Sequence, residues 1–180
     1  DGFRLDRGFQ VLLTAYPEAL QLLDYESLRL QPFFPGALIR RGDRWLRLAD
    51  PWRRPFAGLA SVLEGPVSVA DGLRMARLRS RTAKPAVGPA GSDGEASTAA
   101  RLRSEGFSER IIREFFRPFF AGVFLDPELA TSERQMEFVF RMFASGQVAV
   151  PRAGMEAIPR QLAARLPGGS VVTGARVDRV

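Results

Sequence analysis

The stretch Ile111-Ile112-Arg113-Glu114-Phe115-Phe116-Arg117-Pro118-Phe119-Phe120-Ala121-Gly122-Val123-Phe124-Leu125 decides how this chain is read. Ile111, Ile112, Phe115 and Phe116 recur at the spacing of one helix face. Ser108, just upstream, offers an oxygen to a free amide of the first turn. Pro118 has no N–H to give and its ring crowds the carbonyl four residues back, so the helix is expected to end there. Asp126-Pro127 then turns the chain. Ser132 and Gln135 have capping-box spacing and open a further helix with Met136, Val139, Phe140 and Phe143 on one face. Phe138 and Met142 lie off that stripe. A helix apolar on two sides is either buried or lines an apolar pocket.

Working outward, Phe56, Leu59, Ala60 and Leu63 follow helical spacing up to Gly65-Pro66, and a second helix is expected from about Val69 to Arg81. Residues 82–97 read as a mobile loop rich in Gly, Pro and Ser. Nearer the N-terminus, Phe3 to Leu13 reads as extended chain, and Pro17 suits the first turn of a short helix through Leu23. Ala37 to Arg41 and Trp45 to Leu48 flank Gly42-Asp43-Arg44 as a β-hairpin. Toward the C-terminus, Val148 to Val150 is a short strand. Gly154 leads into a helix with Ile158, Leu162 and Leu166 inward, and Pro159 is tolerated in its first turn. Val171-Val172 and Arg176 to Val180 read as strand. The expected class is α+β. Short strands at both ends form part of a mixed sheet, with a mostly helical cap between them. Residues 1–180 make one domain, strand-rich over 1–50 and 147–180 and helical over 51–146. Both ends of the sequence read as cut inside structure, so the chain is expected to be the interior of a longer polypeptide.

Composition narrows the chemistry. The chain has no Cys and no His. Disulfides, thiol nucleophiles, Cys/His zinc sites and a complete Ser-His-Asp triad are therefore excluded within it. Lys84, the only lysine, lies in a Gly/Pro/Ser stretch unsuited to a desolvated Schiff-base lysine. The formal net charge of +6 is carried by arginines spread along the chain rather than clustered, so no nucleic-acid partner is expected. No apolar run is long enough to cross a bilayer. The lack of Cys suits a cytoplasmic protein.

Three segments carry a resemblance. They are Gly2-Phe3-Arg4-Leu5-Asp6-Arg7-Gly8-Phe9-Gln10-Val11-Leu12, then Arg117-Pro118-Phe119-Phe120-Ala121-Gly122-Val123-Phe124 followed by Asp126-Pro127, and Pro151-Arg152-Ala153-Gly154-Met155-Glu156-Ala157-Ile158-Pro159. In this order and spacing the chain resembles the flavin-containing amine oxidoreductase superfamily, especially its phytoene desaturase-like and protoporphyrinogen oxidase-like bacterial members. The family's G-x-G-x-x-G fingerprint, which holds the FAD pyrophosphate at a helix N-terminus, does not occur here. The resemblance therefore implies the substrate-binding middle of an FAD-binding fold that lacks its Rossmann unit.

Asp6-Arg7-Gly8 matches the family's D-x-G stretch, which passes close to the flavin ring. The resemblance implies that Gly8 lets the backbone approach the cofactor and that Phe9 and Gln10 sit near the ring or substrate. Val177 matches a valine whose backbone meets adenine. The resemblance also implies a greasy substrate tunnel lined by Phe119, Phe120, Phe124, Phe140 and Met142, with Arg117 meeting an acidic substrate group or closing a surface pair. The expected parent is an FAD enzyme that oxidises a hydrophobic small molecule (polyene, porphyrin or amine) by hydride transfer to flavin. No catalytic acid, base or nucleophile can be named. This chain alone is not expected to retain FAD. Three alternatives stay open: a non-enzymatic domain binding an apolar ligand or protein partner, peripheral membrane contact through Phe119-Phe120 and nearby arginines, and homodimerisation through unpaired strand edges.

Overall fold

Ser68, Ser97 and Ser108 each start a helix by accepting from an amide of its first turn, those of Asp71, Ala100 and Ile111 at 3.0, 3.1 and 3.3 Å. The computed structural model describes residues 2, 5, 6, 8, 10–54, 56, 67–83 and 95–179. The expected helix through Leu59, Ala60 and Leu63, and positions 84–94 of the expected loop, lie outside them. The N-terminal elements are β1 (Leu12–Leu13), α1 (Pro17–Leu22), α2 (Tyr25–Leu28), β2 (Leu30–Pro32), β3 (Gly36–Arg41) and β4 (Arg44–Ala49). Then come α3 (Val69–Thr82), α4 (Thr98–Ser104), α5 (Glu109–Ile111), a π-helical turn (Ile112–Phe116) and α6 (Arg117–Phe124). The last are α7 (Glu133–Ser145), β5 (Val148–Pro151) and α8 (Ala157–Ala163). Among the described residues no helix is long and apolar enough to cross a membrane.

Residues 1–33 and 146–180 form one unit and 34–145 a second. In the first, β5 lies between β1 and β2 and is antiparallel to both, with Leu12 opposite Ala149 and Gln31 opposite Val150. Among its described residues, Leu12, Leu13, Leu28, Gly146, Ala149 and Pro151 are buried. Pro17 opens α1 as expected. The expected inward stripe of α8 is not formed: Ile158 is half-buried, but Leu162 and Leu166 are exposed. Polar side chains hold this helix instead. Gln161 accepts from the Asp24 amide at 2.9 Å and donates to the Ser27 hydroxyl at 2.7 Å, and Arg165 donates to the Leu22 carbonyl. Val171, Val172 and residues 176–179 are exposed and join no ladder among the described residues. A β-branched run without a partner to take its amides and carbonyls gains nothing by staying a strand.

In the second unit the expected hairpin is present. Arg41 pairs with Arg44 across Gly42-Asp43, and Gly42 takes φ +59°. The core gathers Leu78, Leu102, Phe107, Ile111, Ile112, Phe116, Phe120, Leu129, Met136 and Val139. Pro118 does not end the helix, contrary to the sequence-based expectation. The π turn before it re-registers the backbone: the Arg117 amide donates to the Ile112 carbonyl, five residues back. Pro118 then stands at the start of α6, where a missing N–H costs little. Helix α6 closes at Leu125, in the left-handed region at φ 55°. At the head of α7 the Ser132 hydroxyl accepts from the Arg134 amide at 3.1 Å.

Candidate functional site

The first unit holds a cleft of about 800 Å³, walled by the end of α2 and by the turn from β5 into α8. Local chemistry shapes both walls. Asp24 caps α2 by accepting from the amides of Glu26 and Ser27 at 3.1 and 3.2 Å. Arg29 ends that helix at φ 50°, a conformation rarely adopted outside glycine. Opposite, Gly154 at φ +88° lets the chain fold back so that its amide donates to the Pro151 carbonyl at 2.8 Å. The Arg152 amide donates to the Leu28 carbonyl at 3.2 Å and ties the two walls together.

Asp6 also lines this cleft, and its Oδ2 accepts from the Met155 amide at 3.4 Å. Two of the segments singled out in the sequence, Asp6-Arg7-Gly8 and Pro151 to Pro159, therefore meet here. Gly8 is exposed, and a Cβ built on it would meet nothing within 4 Å. Gln10 is exposed too. Phe9 lies outside the described residues. Val177 is 74% exposed and its backbone joins no ladder. Gly8, Gln10 and Val177 are thus all open to solvent.

The candidates for a substrate pocket stand in the second unit. Phe120 and Met142 are buried, whereas Phe119, Phe124 and Phe140 are half-buried against the core. The rings form runs of neighbours four residues apart. Phe116 stacks on Phe120 at 6.1 Å and Phe120 on Phe124 at 5.3 Å. Phe119 meets the edge of Phe143 at 4.9 Å. Phe116 and Phe120 thus act as core, and Phe119, Phe124 and Phe140 keep part of their surface outside it. Arg117 pairs with Glu128 at 3.6 Å on the surface.

Three structural features were given no role in the sequence reading. Arg29 and Arg152 line the cleft, but Arg29 belongs to no motif and Arg152 was marked only as part of the third segment, with no role of its own. Asp71 is 1% exposed and binds Ser68, Arg74 and Ser108. The Ser68-x-x-Asp71 spacing was the available signal for it, since that pattern marks a helix start.

A family model describing flavin containing amine oxidoreductase matches residues 1–180. No curated protein and no solved structure matches the chain. The family match spans the sequence from end to end, including the two segments that converge on the cleft, and the chain belongs to the flavin-containing amine oxidoreductases, a family of flavin-dependent enzymes.

Proposed function

We propose that this chain is the substrate-binding portion of an FAD-dependent oxidoreductase that takes hydride from a hydrophobic substrate of the polyene, porphyrin or amine class. Flavin, when bound, supplies the hydride acceptor. The chain's own residues supply an approach and an apolar surface. One observation carries the reading: Gly8 presents open backbone beside Asp6, which is anchored to the Met155 amide. The half-buried faces of Phe119, Phe124 and Phe140 offer apolar surface that excludes water from a greasy ligand. No titratable side chain is needed for the transfer, which agrees with a chain that has neither His nor Cys.

The test is Gly8→Val in the intact, flavin-loaded protein. No neighbour lies within 4 Å of the added Cβ, so folding is expected to be unaffected. A branched side chain there would hold the ring away, and flavin reduction by substrate should slow by roughly tenfold to a hundredfold. Anaerobic rapid mixing followed by loss of oxidised-flavin absorbance measures it. An unchanged rate in the variant, or no reduction of the parent by any of the three substrate classes, would sink the proposal.

A further inference from the structure

We propose that the cleft of the first unit is an oxyanion site, in which the guanidinium groups of Arg29 and Arg152 hold a carboxylate or phosphate group. The register between β2 and β5 sets Leu30 opposite Pro151 and Gln31 opposite Val150. The ladder ends there: Arg29 closes α2 and Arg152 begins the turn into α8, both exposed. The bond from the Arg152 amide to the Leu28 carbonyl, 3.2 Å, keeps the end of α2 beside that turn. Both residues line the cleft. Like charges that share one cleft repel unless something neutralises them.

Within the described residues nothing does so. Arginines of the second unit are repeatedly matched with carboxylates: Arg81 with Glu105 at 2.7 Å, Arg101 with Glu137 at 3.1 Å, Arg134 with Glu95 at 2.7 Å. Among the described residues, Arg29 and Arg152 have no such partner. Asp6 shares the cleft, but its Oδ2 accepts from the Met155 amide and it forms an ion pair with neither arginine. Two cations against one carboxylate leave the cleft positive. Arg29 is also held at φ 50°, and such strain persists where the surroundings over-determine it, often at ligand clamps. A guanidinium pair is suited to an oxyanion because each fork can donate two parallel N–H bonds.

Two sources share this chemistry: the carboxylate of an otherwise apolar substrate, and a phosphate group. The first rests on the substrate reading above and the second does not. Calorimetric titration of the chain with sodium decanoate and, separately, with sodium pyrophosphate distinguishes them. One probe is expected to bind at a single site. Arg29→Gln combined with Arg152→Gln should weaken it about tenfold or more, while Arg40→Gln combined with Arg44→Gln, exposed on the hairpin, should leave it unchanged. Binding of decanoate alone assigns the carboxylate source, and binding of pyrophosphate alone the phosphate source. No heat with either probe, or equal weakening by the hairpin pair, overturns the site. If the double variant fails to fold, Arg152→Gln alone decides, with unchanged binding counting against the proposal. A lost oxyanion site with flavin reduction still sensitive to Gly8→Val would leave the proposed function standing.

Discussion

Asp71 shows how much one side chain can organise. It accepts from the Ser68 hydroxyl at 2.7 Å, from the Ser108 amide at 3.0 Å and hydroxyl at 2.8 Å, and from Arg74 at 3.3 Å. The starts of α3 and α5 are thereby fastened to one carboxylate. Burial pushes this carboxyl up, but the Ser108 amide, the two serine hydroxyls and the Arg74 guanidinium outweigh it and hold the group below its ordinary value of 3.8. A lowered carboxyl stabilises the fold fully above that ordinary value, and the contribution is lost as pH falls through the lower folded-state value. Asp71→Asn should therefore cost about 1–3 kcal/mol at neutral pH. The gap in urea midpoint between variant and parent should close as pH drops below 3.8, and a gap that does not narrow would refute the assignment. The Ser108 cap was legible in the sequence because capping acts within three residues. Its bond to Asp71 was not, because it depends on how two helices far apart in the chain pack.

The same distinction between local and distant causes separates the elements that were legible from those that were not. The hairpin was legible because Gly42-Asp43 between apolar runs is sufficient in itself, and α3 was legible from its spacing. The course of the chain through Pro118 was misread. A proline ends a helix of regular register, but the π turn over Ile112–Phe116 removes the regular register that the rule assumes. That turn lies within the aromatic core. Phe116 is fully buried, edge-on to Phe107 at 4.8 Å and stacked on Phe120. Phe116→Ala should destabilise the protein by about 3–5 kcal/mol. Phe119→Ala, at a half-buried ring, should cost clearly less. Thermal melts of the two variants compare them, and equal losses would contradict the division between core rings and surface rings.

For the whole molecule, the resemblance carried by three short segments agrees with a family match over residues 1–180. What single-sequence reading could not supply was the meeting of Asp6 with Met155, a contact across 149 positions of chain. Nor could it supply the cleft, whose walls come from both ends of the sequence. The missing G-x-G-x-x-G has a measurable consequence. A helix start that cradles pyrophosphate supplies much of the affinity for a dinucleotide, so the 180-residue chain should emerge from purification colourless. Stoichiometric flavin absorbance after gel filtration would contradict that expectation. Tryptophan and tyrosine also divide by unit. Both indoles, Trp45 and Trp52, belong to residues 34–145, and both phenols, Tyr16 and Tyr25, to residues 1–33. Each half of the architecture therefore carries its own optical reporter. Emission excited at the red edge follows residues 34–145 alone, and second-derivative phenol absorbance follows the other unit, with no label attached to either.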